Sequence, residues 1–254
     1  MLKIEIICCL KDNYSYLLHD TESNLIAVVD PSDFKPINDV IEKKYKKLDF
    51  ILNTHHHFDH VGGNVELKKK YKSKIIASFI DQDRIPGIDL RIKGDEIFKF
   101  GKVDFKIISI PGHTKGHIAF YSKKNKAVFT GDTLFSLGCG RVFEGTSNDM
   151  FDSINKIKKL PGKTKIYFGH EYTKNNFEFC FQFEKENVHL KRKLGWINSK
   201  IKNNLPTSPS TMDEELKTNV FLRCENTHIR SYLKMDKASD QEIFNKLRNL
   251  KDNF

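Results

Sequence analysis

The chain has 254 residues, 43 Lys and Arg against 33 Asp and Glu, a formal net charge of +10 and 39% hydrophobic side chains. That length buries about three-quarters of the unfolded surface, enough for one large domain or a medium domain plus a small one, without a disulfide staple. The longest apolar runs, IEIICCL among them, fall far short of the roughly 18 residues a membrane span needs.

No small-residue cleavage site follows the first run, so the N-terminus is expected to be a strand and the compartment cytoplasmic. The five cysteines (Cys8, Cys9, Cys139, Cys180, Cys224) are odd in number and lack CxxC spacing. They read as small buried hydrophobes in a reducing compartment. The lysines are spread over KKKYKSK, SKKNK, KIKKLPGKTK and HLKRK rather than gathered in one tract with interleaved aromatics. A solvated lysine-rich surface follows, with no nucleic-acid or membrane partner expected, although the charge would suit an anionic small substrate.

In chain order, LKIEII, YSYLL, LIAVVD, FILNT, KIIAS, VDFKIISI, HIAFYS, AVFTGD and KIYFG are strand-like runs between Met1 and about His170. FKPINDVIEKKYKK and SNDMFDSINKIKKL are helical patterns among them, the second with Ser147 as its N-cap. The mixture predicts α/β with sheet at the centre. After His170 strands stop and the remainder reads as helical, broken by LPTSPST at Leu205 to Thr211. Thr211 with Glu214 and Ser239 with Glu242 fit capping boxes. One segment conflicts with this texture: NFEFCFQFE sets phenylalanine at 177, 179, 181 and 183, which is strand periodicity.

The densest chemistry lies in NTHHHFDHVGG, Asn53 to Gly63. If DFILNT is a strand, His55 and His57 can point the same way from an extended turn, while Asp59 and His60 open the next element in another direction. One loop can thus serve two neighbouring centres. Neutral imidazoles with a carboxylate suit zinc, iron or manganese, and the lack of thiolates argues against a closed structural zinc site. Two metals need more ligands, and ISIPGHTKGH, AVFTGDT and IYFGHEY offer His113, Asp132 and His170, each after a strand.

The HxHxDH run with later His, Asp and His at strand ends resembles the metallo-β-lactamase superfamily over roughly the first 170 residues. Within it, THHHFDHVGG, PGHTKGH, FTGDTLFSLGCGR-x-FEGT and GHEYTKNN are similar to the glyoxalase II (hydroxyacylglutathione hydrolase) family, and the likeness runs on to FNKLRNLKDNF. The resemblance implies an α/β fold: a metallo-β-lactamase αββα sandwich over residues 1–171 and a smaller all-helical substrate-binding domain over residues 172–254. It also implies that NFEFCFQFE is helical, against its local period, with its phenylalanines packing between the two parts.

By the same resemblance, His55, His57 and His113 hold one metal and Asp59, His60 and His170 the other, with Asp132 bridging both and a hydroxide between them. Asp59 and Asp132 are then the catalytic carboxylates, and the cofactors are two divalent ions, zinc first, with iron or manganese as alternatives. His56 matches a non-ligand position and His117 a structural one; His19, His189 and His228 receive no role. Arg141, Phe143, Tyr172, Arg248 and Lys251 are implied around glutathione, Phe143 standing where some members have tyrosine. At spacing three, Arg248 and Lys251 share a helix face.

The implied reaction converts S-D-lactoylglutathione to glutathione and D-lactate, the second step of methylglyoxal detoxification. A thiol of pKa about 8.5 leaves without a dedicated acid. Rival readings are a mononuclear-iron persulfide dioxygenase, a metal-dependent nuclease using the basic surface, and a silent binding scaffold. The LRNLKD helix with its anion-binding pair weighs against the first two and the complete ligand set against the third. Oligomeric state is not indicated.

Overall fold

The structure, a computed structural model, describes residues 1–254 and divides into two compact units: Met1–Ser109 with Lys115–Gly131, and Ile110–Thr114 with Asp132–Phe254.

In the first unit, β1 (Leu2–Cys9), β2 (Asn13–Asp20), β3 (Leu25–Val29), β4 (Phe50–Leu52), β5 (Lys74–Ser78) and β6 (Ile88–Ile92) form a six-stranded sheet in sequence order. β1 to β3 run antiparallel, and β3 to β6 are parallel neighbours. Parallel strands need crossovers, supplied by α1 (Phe34–Lys44), then by α2 (Phe58–Val61) and α3 (Asn64–Tyr71). Asp33 caps α1 by accepting from Lys35 N, and Ile37 and Ile41 form its buried stripe. Ile26, Val28, Ile51 and Ile75 pack against Ile37, Ile41 and Leu67, each such side chain contributing about 1.5–3 kcal/mol over exposure. β7 (Ile97–Phe100), β8 (Val103–Ser109), β9 (Ile118–Ser122) and β10 (Ala127–Gly131) pair antiparallel in turn. Phe50 meets Phe98 and Phe100 at 5.5 and 6.1 Å between ring centroids, and Tyr16 meets Phe129 at 5.5 Å, filling the space between this layer and the first sheet.

The second unit holds the hairpin β11 (Leu134–Phe135) and β12 (Gly138–Cys139), then α4 (Ser147–Lys158), β13 (Lys165–Phe168), α5 (Thr173–Phe183) and α6 (Val188–Lys202). β14 (Ser210–Thr211), α7 (Met212–Thr218), α8 (Thr227–Leu233) and α9 (Asp240–Asp252) complete it. Strands therefore do not stop at His170: Ser210 and Thr211 pair antiparallel with Ile166 and Lys165.

α4 is capped by Thr146, one residue before the expected Ser147, because Thr146 and Asp149 close a reciprocal capping box. The Ser239–Glu242 box forms as expected. Thr211 accepts from Glu214 N, but the Glu214 carboxylate goes to Lys193 Nζ at 3.0 Å. NFEFCFQFE lies in α5, as the resemblance implies and its local period does not. Residues two apart on a helix stand about 200° apart, so Phe177 and Phe181 stack at 5.4 Å on one side while Phe179 and Phe183 meet at 5.0 Å on the other. A helix buried on two sides thus imitates the alternation of a strand.

Cys8 is exposed, contrary to expectation, since its neighbour Cys9 takes the inward position of β1; the other four cysteines are buried and all five are free thiols. No helix is long and apolar enough to cross a membrane.

Candidate metal centre

In the first unit the ligand loop begins where β4 ends. The buried Asn53 amide donates to His60 O at 3.1 Å and exchanges hydrogen bonds with the Asn64 side chain at 3.3 and 2.8 Å, which ties the loop to α3. Asp30, at the end of β3, has φ 48°, a left-handed conformation that aspartate tolerates. Its carboxylate accepts from Thr54 N at 2.7 Å, Thr54 Oγ1 at 2.6 Å and His60 Nδ1 at 3.0 Å.

With the Thr54 hydroxyl proton given to Asp30, Thr54 Oγ1 accepts from His55 Nδ1 at 3.0 Å. His55 and His60 therefore carry their protons on Nδ1 and leave Nε2 as a nitrogen able to take a metal. Asp30, His55 and His60 form a group that could itself hold an ion, but both Asp30 oxygens already accept hydrogen bonds, so Asp30 orients the imidazoles.

The His55 ring lies 4.8 Å from His57, 4.2 Å from His60 and 4.5 Å from a stacked His117. A metal takes an imidazole as its neutral ring. Room for these rings depends on Gly131 (φ +47°), where a Cβ would fall 2.3 Å from Thr54 Oγ1 and 2.8 Å from His117 Cε1. Asp59 is steadied by Asn13, whose amide donates to Asp59 O at 3.0 Å and Oδ2 at 2.9 Å, and His60 Nε2 stands 3.7 Å from Asp59 Oδ2. His56 turns elsewhere, its Nδ1 lying 3.6 Å from the buried Asp81 carboxylate, which also pairs with Arg84.

In the second unit the turn before His113 is held by Ser153 Oγ donating to Pro111 O at 2.6 Å. His113 Nδ1 donates to Arg141 O at 2.8 Å, again leaving Nε2 as a nitrogen able to take a metal. His113 Nε2 is 3.5 Å and His170 Nε2 3.1 Å from the same Asp132 Oδ2. Asp132 thus sits between two imidazoles, as a shared ligand would. His170 stacks on Tyr172 at 4.8 Å with the planes 1° apart. Imidazole nitrogens with fixed tautomers, together with carboxylates and no thiolate, make up a donor set that fits a divalent metal ion.

The residues expected to meet substrate also fall in the second unit. Tyr172 and Phe143 are exposed, and Phe143 abuts the His113 ring at 5.2 Å. Arg141 Nε lies 3.3 Å from Asp252 Oδ1, which Arg248 Nη2 also approaches at 3.0 Å. Arg248 is buried, and its Nη1 donates to Cys139 O at 2.7 Å. It is therefore no solvated helix face. Lys251 bonds the Asn175 side chain, lies over the Phe179 and Phe254 rings at 5.3 and 4.6 Å, and has its pKa pulled down to about 8 by burial.

Sequence reasoning missed Asp30, Thr54, Asn13 and Asp252 as partners of the predicted residues. Only Asp30 carried a signal, since AVVD ends an apolar strand in the same manner as FTGD.

Comparison with known proteins places the chain in a family. The Metallo-beta-lactamase superfamily description matches residues 11–170, and the Hydroxyacylglutathione hydrolase C-terminus description matches residues 171–254. A protein named hydroxyacylglutathione hydrolase from Pelagibacter ubique (strain HTCC1062) is 51% identical over 253 residues, covering 100% of both chains. One of the same name from Brucella ovis is 46% identical, covering 100% of this chain and 98% of its own. The crystal structure of ETHE1 from Myxococcus xanthus superposes with a TM-score of 0.71 at 19% identity, covering 98% of this chain and 91% of that one, a likeness of fold alone. Matched from end to end in this way, the chain belongs to the hydroxyacylglutathione hydrolase family of the metallo-beta-lactamase superfamily.

Proposed function

We propose that this protein hydrolyses S-D-lactoylglutathione and related 2-hydroxyacylglutathiones to glutathione and the free hydroxy acid, with two divalent metal ions as cofactors. The observation that carries the reading is the placing of one Asp132 oxygen between His113 and His170. Asp132 would be the bridging ligand, His55, His57 and His113 one set, and Asp59, His60 and His170 the other. Each set offers only imidazole nitrogens and carboxylate oxygens, donors that a divalent ion accepts. Zinc is our first choice, and iron and manganese accept the same mixed nitrogen and oxygen donors. When bound, such a pair of ions supplies an activated water near neutral pH and polarises the thioester carbonyl.

The chain's own residues do the rest. Asp30 and Arg141 O hold protons on the Nδ1 atoms of His60 and His113, and Thr54 does so for His55, so the site needs no reorganisation before reaction. Asp59, fixed by Asn13, is oriented by the protein and not by chance contact. Arg141, Arg248, Lys251, Tyr172 and the ring of Phe143 would receive the anionic peptide part of the substrate, with Arg248 also bracing the backbone at Cys139 next to Arg141. We assign catalysis to residues 1–171 and substrate binding mainly to residues 172–254. The free cysteines suit a reducing, cytoplasmic setting.

The test is hydrolysis of S-D-lactoylglutathione, followed by loss of thioester absorbance, with chelator-stripped and metal-reconstituted protein. Activity that returns with divalent metal supports the reading; a reconstituted protein that leaves the thioester intact removes it.

A further inference from the structure

A cavity of about 700 Å³ opens in the helical part of the second unit, between the end of α5, the start of α6, and α7 and α8. None of the residues assigned to metal or glutathione thioester lines it. Its volume lies within the roughly 300–1,000 Å³ typical of small-molecule sites.

The exposed wall is more apolar than polar: Phe183 and Tyr232 meet edge to face at 5.0 Å, with Leu216 and the exposed Val188 beside them and Gln182 and Asn226 also on the lining. Its most buried polar feature is the ion pair of Glu184 and Arg223, side chains only 5% and 16% exposed. Arg223 Nη1 also donates to Lys217 O at 3.0 Å, and the Asn187 amide donates to that carbonyl at 2.9 Å. Glu184 is thus neutralised within the wall.

The remaining charge at the mouth is basic. Lys185 and Lys217 are exposed there, with His189 and His228 on either side. The other lining acid, Glu186, is drawn to Lys191 at 2.8 Å. An aromatic and aliphatic hollow with cations at its lip complements a molecule with an apolar body and a single anionic head.

We propose that this cavity is a second ligand site, separate from the metal centre, for a small amphipathic monoanion such as a medium-chain carboxylate. The body would lie against Phe183, Leu216 and Tyr232, with the head among Lys185 and Lys217. This inference stands independently of the hydrolase reading, because no residue is shared with it.

Calorimetric titration of the full-length protein with decanoate, below its micelle concentration, tests it. One saturable site per chain is expected, at least tenfold weaker for decanol, which lacks the charge. Val188→Asp, at an exposed first-turn position where an acid is tolerated, and the Lys185→Glu/Lys217→Glu double variant should each weaken decanoate at least tenfold. Both should hydrolyse S-D-lactoylglutathione at the wild-type rate. Absence of saturable binding, equal binding of decanol, or unchanged affinity in both variants would overturn the proposal.

Discussion

Replacing Asp30 by asparagine keeps the shape of the side chain and exchanges one acceptor for a donor. Asp30 Oδ2 accepts from both Thr54 Oγ1 at 2.6 Å and His60 Nδ1 at 3.0 Å. If the asparagine oxygen keeps the bond from Thr54 N, its amide group faces both of these donors. His60 must then move its proton to Nε2, the nitrogen it needs for metal, or lose the bond. Thr54 must reverse its hydroxyl, which pushes the His55 proton to Nε2 as well. One substitution therefore reaches a histidine of each proposed ligand set. Loss of an orienting partner costs about 10- to 100-fold in metal affinity, or roughly 1.4–2.7 kcal/mol per site. Chelator competition on stripped protein measures both affinities, and circular dichroism checks the fold. Asp81→Asn is the control, since Asp81 faces His56, which lies outside the proposed ligand sets, and should leave metal affinity within about twofold. A folded Asp30→Asn protein that binds both metals as tightly as wild type refutes the orienting role.

Other expectations can be checked alongside. Asp132→Ala should lower kcat by at least roughly 10³-fold, the upper end for loss of one electrostatic stabiliser, and bind fewer metals per chain by elemental analysis; two metals with normal turnover would contradict the shared-ligand assignment. Gly131→Ala forces a residue with φ +47° against Thr54 Oγ1, so denaturant unfolding should show a loss of roughly 2–5 kcal/mol, and a variant as stable as wild type would mean that the loop yields freely.

Lys251 gives a pH signature. Burial lowers its ammonium from the usual 10.5 to about 8, so between those values the unfolded chain holds more protons than the folded one. The burial cost is present below pH 8 and is relieved as pH rises through the window; stability of Lys251→Met relative to wild type should therefore be greatest near pH 7 and fade toward pH 10. KM for the anionic thioester should rise as pH passes 8 in wild type and stay flatter in Lys251→Arg. A pH-independent KM in wild type would remove Lys251 from the substrate contacts.

The proposed ligands were legible because each follows the same local order of apolar strand, turn, then His or Asp, and strand ends need no knowledge of distant packing. Their partners were not. Asn13 reaches Asp59 across 46 positions, and Arg248 reaches Cys139 across 109; spacing on a helix shows which face Arg248 occupies but not what covers it. α5 misled by its period, since alternation on a helix buried from two sides equals that of a strand. β6 and β7 were overlooked because IDLRI buries only Ile92 and shows no alternation, while IFKF is only four residues long and leaves Ile97 exposed.

The proposed chemistry needs two metal ions acting together. Stripped protein titrated with zinc, with S-D-lactoylglutathione hydrolysis read at each step, tests it most directly. Activity should climb to a break at two equivalents per chain. Full activity at one equivalent, with no gain from the second, would contradict it.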